Sequence, residues 1–177
     1  MRKLALGSVL LLITLALEGC ATQQSGGQAP LKGLAPYTQN GVRYTPVKSW
    51  EGFSEDGVAS WYGPPYHGRK TASGETFDTY AKFTAAHKTL PFNICVHVSN
   101  KENGQDVVVK INDRGPFVAG RILDLSKVAA DKLGVTKGGI ARVHMETVAL
   151  ANSDGSCDGA PGVSVWAKIQ GFFTRLF

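Results

Sequence analysis

The sequence lacks most of the short signatures that announce an enzyme. Its four histidines stand far apart, at positions 67, 87, 97 and 144, with no HExxH pair, so no zinc site is written into their spacing. Its three cysteines, at 20, 95 and 157, form neither a CxxC redox pair nor a cysteine zinc site. There is no GxSxG nucleophile elbow and no phosphate-cradling P-loop. No metal or cofactor is therefore called for. The net charge of +5 is scattered, without an arginine cluster, zinc-finger spacing or alternation of basic and aromatic residues. That pattern argues against nucleic acid and leaves an acidic polymer or a membrane surface as partners.

Long apolar runs are also scarce. The strongest opens the chain, in MRKLALGSVLLLITLALEGC, where a basic start is followed by apolar residues from Leu4 to Leu17. This run is too short and too poorly flanked for a spanning helix and reads as an export signal over residues 1–19. Its end, LEGC, resembles a lipobox, which makes Cys20 the lipidated first residue of the mature chain. Glu18 stands where that box carries a small residue, and a plain secretory signal with unmodified Cys20 is the alternative. Ala21, in place of a retaining aspartate, favours sorting to the outer membrane. Export places Cys95 and Cys157 where thiols are oxidised; they either pair or stay as two free, buried thiols.

What is abundant is glycine, 21 residues, and turn-forming sequence in general, with 43% apolar and 19% charged residues. This suits one globular domain built mainly of strands. Residues 20–55 are polar and rich in Gly, Pro and Gln, as in a tether, with Tyr44, Trp50 and Phe53 able to dock its later part. Over 56–150, GVASWYG, NICVHVSN, DVVVKIND, GRILDLS and ARVHMETVAL are strand candidates. SKVAADKLG predicts a helix capped by Ser126, with Val128, Ala129 and Leu133 on its apolar face and Gly134 as its stop. A shorter helical turn is expected within DTYAKFTAAH. In the tail, 151–177, GVSVWAKIQGFFTRLF has Val165, Trp166, Ile169, Phe172, Phe173 and Leu176 at helical spacing. That helix would pack on the domain, on a partner or at a membrane interface.

Three residues are candidates for chemistry. In DVVVKINDRGP, alternation puts Val107, Val109 and Ile111 on one face, and Asp113 continues it to the edge of the barrel interior, where desolvation would keep its carboxyl protonated. The same Asp-Arg-Gly sequence is also what an ordinary turn at a strand end looks like. GRKTASGETFD makes a close-approach loop presenting Glu75, with Thr71, Ser73 and Thr76 able to hold sugar hydroxyls; its default is a solvated loop. His87 can act as acid, base or donor, or be structural. Trp61, Tyr62 and Tyr66 could stack on sugars or pack in the core.

Together GVASWYG, GRKTASGETFD, FTAAHKTLPF, VVVKINDRGPF, GRILDLSKVAADKLG and GIARVHMETV resemble the rare lipoprotein A (RlpA) family over residues 57 to 149. The resemblance implies a mostly β fold, a six-stranded double-psi β-barrel of expansin-like and barwin-like kind, with one or two short helices. It implies an exported lipoprotein that acts as a lytic transglycosylase on peptidoglycan glycan strands free of stem peptides. The family's catalytic aspartate, glutamate and histidine fall on Asp113, Glu75 and His87. Trp61, Tyr62, Ser73, Thr76, Asn112 and Arg114 are the substrate-binding candidates beside them. Further partners would be the membrane, through Cys20, and cell-division or envelope proteins; no SPOR domain is expected after residue 150. The rival readings are a glycan binder without activity, two-carboxylate hydrolysis, and a structural envelope lipoprotein acting through its tail helix.

Overall fold

The computed structural model describes residues 31–160. Cys20 and the tail helix expected over 162–177 lie outside the described residues. Two short strands, β1 (Tyr37–Gln39) and β2 (Val42–Tyr44), form an antiparallel hairpin. The remaining strands are β3 (Ser54–Trp61), β4 (Thr84–His87), β5 (Ile94–Asn100), β6 (Asp106–Asp113), β7 (Arg121–Leu125) and β8 (Ile140–Leu150). They close into a barrel in the order β3-β7-β4-β6-β5-β8, with β3–β7 and β4–β6 parallel and the other four pairs antiparallel. Closure leaves no free sheet edge. The six-stranded barrel expected from the sequence is thus present, with one α-helix.

Alternation decides what fills the barrel. Ala59, Ala85, Val96, Val98, Val109, Ile111, Leu123, Leu125 and Met145 are buried in one apolar cluster. Each strand turns every second residue inward, and the small alanines of β3 and β4 sit among the larger side chains of β6 and β7.

Strand β4 corrects the expectation of a helical turn through DTYAKFTAAH. The turn itself is brief: the Asp78 carboxylate accepts the amides of Tyr80 and Ala81. From Thr84 the chain is strand, wholly buried and paired on one side with β6 and on the other with β7. Two alanines favour a helix locally, but two neighbouring strands satisfy the backbone, and tertiary pairing wins.

The helix α1 (Lys127–Leu133) follows β7 directly and buries Ala129, Ala130 and Leu133, with Val128 only partly covered. Gly134 ends it in the left-handed conformation, φ 72°, and donates its amide back to Ala130. Ser126 stands at the N-cap without capping. Its hydroxyl donates to the carbonyl of Lys82 at 2.7 Å, tying the helix start to the chain before β4.

The segment read as a tether lies on the barrel from residue 31 onward. Lys32 bridges to Phe92, Tyr37 donates to the carbonyl of Lys88, and Tyr37 and Tyr44 stack at 5.2 Å beside Phe117. Trp50 and Phe53 pack against the core, as their apolar character suggested. At the other end, Cys95 and Cys157 are joined, with Cα atoms 5.8 Å apart and a separation of 62 positions in sequence. The bridge pins residues 151–160 to β5. Replacing both cysteines by alanine is expected to lower unfolding free energy by about 2–4 kcal/mol, from the unfolded-chain entropy that a long closed loop removes. Urea unfolding of the double variant against the oxidised parent measures it.

Candidate active site

A β-bulge organises the site. Where β6 runs beside β4, Ala85 pairs with Ile111 but Ala86 pairs with Asp113, so one residue of β4 faces two of β6. Ala85 and Ile111 both belong to the core. Ala86, one position on, points to the outer face, and Asp113 turns out with it beside Asn112. Simple alternation predicted Asp113 at the mouth of the interior; the extra residue re-aims it to the outer face of the sheet.

The loop 71–76 straddles this strand end. The amide of Ala72 donates to Asp113 Oδ1 at 2.8 Å, and the amide of Ser73 donates to the carbonyl of Asn112 at 3.1 Å. Glu75 completes the clasp: its carboxylate accepts Lys110 Nζ at 2.8 Å and Asn112 Nδ2 at 2.9 Å. Asp113 and Glu75 are thus brought to one loop, but into neighbouring clefts. Asp113 lines a cleft of about 530 Å³ with Tyr37, Ala72, Phe92, Arg114 and Phe117. Glu75 lines one of about 350 Å³ with Lys32, Lys82, Lys110 and, again, Phe92.

The two carboxyls are tuned in opposite directions. Burial pushes Asp113 above the usual carboxylate range, and this outweighs the amides of Ala72 and Arg114, which favour the anion. Burial also raises Glu75, but there the hydrogen bonds from Lys110 and Asn112, together with the Lys110 charge, prevail and hold it below its ordinary value. Asp113 therefore holds its proton to a higher pH than an ordinary aspartate, and Glu75 releases its own at a lower pH than an ordinary glutamate.

Arg114 does not neutralise Asp113. Its guanidinium donates to the carbonyls of Leu90, His87 and Gly33 and lies 4.1 Å over the Phe92 ring. It therefore fastens the 31–39 segment across the top of the Asp113 cleft. Gly33 is required there, since a Cβ would stand 2.6 Å from the Phe92 ring and 2.7 Å from the guanidinium.

A family model described as lytic transglycolase matches residues 54–145, which span the barrel from β3 into β8. The chain belongs to the lytic transglycolase family. Among curated relatives of this family, the Endolytic peptidoglycan transglycosylase RlpA of Campylobacter jejuni is 48% identical over 121 residues, 68% of this chain and 44% of that protein. The protein of the same name from Vibrio cholerae is 41% identical over 165 residues, 79% of this chain and 62% of that protein. The chain spans less than two thirds of the length of either. Among solved structures, the Streptomyces papain inhibitor resembles it at a TM-score of 0.45 and 23% identity, covering 55% of this chain and 96% of that one.

Of the other residues singled out in this member of the family, His87 lies apart from Asp113. It follows Ala86 on β4 and so faces the opposite way, is 2% exposed, and does not line the Asp113 cleft. Its Nδ1 accepts the amides of Thr89 and Leu90, which leaves the proton on Nε2, 3.2 Å from Glu55. Burial holds it below the ordinary histidine range against the pull of Glu55. His87 makes no hydrogen bond to Asp113, because strand alternation separates them.

Trp61 packs partly against the core. Tyr62 sits edge-on to Phe77 at 5.2 Å and against Tyr66 at 5.3 Å, while the Tyr66 ring is largely exposed. Ser73 shares a 3.0 Å hydrogen bond with Thr71, and Thr76 accepts one from Lys70.

Sequence reading passed over Asp124. It is 7% exposed on β7, accepts the Ser60 hydroxyl, and is ion-paired with Arg121. The signal was there in RILDLS: an acid set between two leucines in mid-strand is costly unless it has partners.

Asp113 should destabilise the fold it serves. Its raised folded value means that stability is fully present below the unfolded value of about 3.9 and is lost as pH rises through the folded one. Asp113→Asn keeps an oxygen for both amides but never ionises. The variant is therefore expected to be more stable than the parent at pH 7, with the gap closing towards pH 3, as read by urea unfolding at each pH.

Proposed function

We propose that this barrel cuts peptidoglycan glycan strands as an endolytic lytic transglycosylase. The bond broken is the β-1,4 link between N-acetylmuramic acid and N-acetylglucosamine, in strands free of stem peptides, leaving 1,6-anhydro ends. The observation that carries the reading is Asp113: a half-buried carboxyl at the wall of a cleft, whose hold on its proton burial strengthens, with the neighbouring Arg114 guanidinium committed to backbone carbonyls. The relatives from Campylobacter jejuni and Vibrio cholerae, both named endolytic peptidoglycan transglycosylases, support the same reading.

In this mechanism Asp113 is the general acid. It gives its proton to the glycosidic oxygen as the bond to C1 breaks. The muramoyl 6-hydroxyl then closes on C1, and its proton returns to the Asp113 carboxylate, so the group is regenerated without water entering the product. Glu75, already ionised and fixed by Lys110 and Asn112, orients the strand and favours the positive charge that develops on the sugar ring. The clefts of Asp113 and Glu75 meet at Phe92, which suits a ligand several sugars long. Ser73, Thr76 and Tyr62 are the sugar contacts of this reading. His87 serves as a positioning residue: it braces the turn whose carbonyls hold Arg114, and through it the chain leaving Asp113.

Digestion of stem-peptide-free sacculi with the purified mature protein should release anhydro-muramoyl fragments detectable by mass spectrometry. Asp113→Asn is expected to reduce that release by about 10²–10⁴-fold, the usual contribution of a general acid. Binding to the strands with no anhydro products from the parent protein would sink the enzyme in favour of a glycan binder.

We further propose export to the periplasmic side of the cell envelope with a lipid on Cys20, at the outer membrane. The Cys95–Cys157 bridge supports the oxidising compartment. Cys20→Ala, expressed in a bacterium that processes lipoproteins, should shift the protein from the membrane fraction to the soluble one on detergent-free fractionation.

A further inference from the structure

We propose that Asp124 is a further functional carboxylate of this site, a positioning residue whose fixed charge acts on Asp113 across the methyl group of Ala86. The inference rests on the reading of Asp113 as proton donor and deepens it.

The register places these residues in one lateral row. Ser60 on β3 pairs with Asp124 on β7, Asp124 with Ala86 on β4, and Ala86 with Asp113 on β6. Residues paired across a sheet share a face. Ser60, Asp124, Ala86 and Asp113 therefore all point outward, opposite to Leu123, Ala85 and Ile111, which belong to the core. The two aspartates stand two strand spacings apart, about 10 Å between their backbones. Only an alanine fills the position between them, and it is fully buried.

The surroundings make Asp124 a charge that stays put. Ser60 Oγ and Arg121 Nη2 both donate to Oδ1, and Lys88 Nζ holds the carbonyl of Arg121. Arg121 is not saturated in return: its Nε is buried without a partner among the described residues. The groups facing Asp113 from each neighbouring element are few. The 71–76 loop offers the amide of Ala72, and beyond β6 Arg114 offers its amide and a guanidinium that is held on backbone carbonyls but whose charge still pulls Asp113 down. β4 offers only Ala86, since His87 points to Glu55. From the β3 and β7 side come Tyr62, Asp124 and Arg121. The Tyr62 phenol is pushed well above its ordinary value by burial first and then by both Asp113 and Asp124, which places it near the pair. Asp124 accordingly adds to burial in raising Asp113.

The test follows the Asp113 carboxyl directly by carbon NMR titration in the whole mature protein, so that it does not depend on turnover. In Asp124→Asn the Asp113 midpoint should fall; in Arg121→Gln, which removes the cation compensating Asp124, it should rise. The alkaline limb of the cleavage–pH profile should move the same way in each variant. A midpoint unmoved in a folded Asp124→Asn overturns the inference. Should that variant not fold, an unmoved or lowered midpoint in Arg121→Gln overturns it instead. Shifted midpoints without anhydro products from any form would leave the carboxyl pair standing and remove the transglycosylase reading. Products together with unshifted midpoints would do the reverse.

Discussion

Everything at the site depends on one surplus residue in a strand. The bulge at Asn112 lets β6 keep Val109 and Ile111 in the barrel while turning Asn112 and Asp113 outward together. Without it, strict alternation would bury a carboxyl among valines with no route to a ligand. With it, the loop 71–76 finds two successive outward groups to bind: the Asp113 carboxylate for the amide of Ala72, and the Asn112 amide for Glu75. On β7 plain alternation is enough: Asp124 lies between the core residues Leu123 and Leu125 and faces outward beside Ser60. The core stays apolar and the chemistry is carried on its outer wall.

The opposite tuning of Asp113 and Glu75 then needs no metal-like charge, only unequal company. Both carboxyls are partly desolvated. Glu75 has a buried lysine at 2.8 Å, and one close cation outweighs burial. Asp113 has two backbone amides, which do not. The cation next to Asp113 in sequence, Arg114, spends its donors on three carbonyls instead of pairing with it.

The strands were legible because their periods are strong. GVASWYG, NICVHVSN, DVVVKIND and ARVHMETVAL all lie on strands that close the barrel, and the helix at SKVAADKLG begins and ends within a residue of its sequence signals. The misreadings have a common origin in tertiary partners. FTAAH becomes a strand because β6 and β7 flank it, and Ser126 gives up its cap because Lys82 offers a carbonyl. At the site, Asp113 and Glu75 were visible as residue types, but not the bulge that sets where Asp113 points. The facing of His87 and the partners of Asp124 likewise follow from pairing across strands, which their neighbours in sequence do not reveal.

The early docking of the N-terminal segment sets a leash. A lipid at Cys20 would be separated from the first barrel-bound residue by eleven peptide steps, at most about 40 Å when fully drawn out, where a free run through residue 55 would allow roughly three times as much. On the proposed reading, a barrel held that closely would work a thin shell above its membrane, and the wall beyond that shell would be spared simply by being too far away.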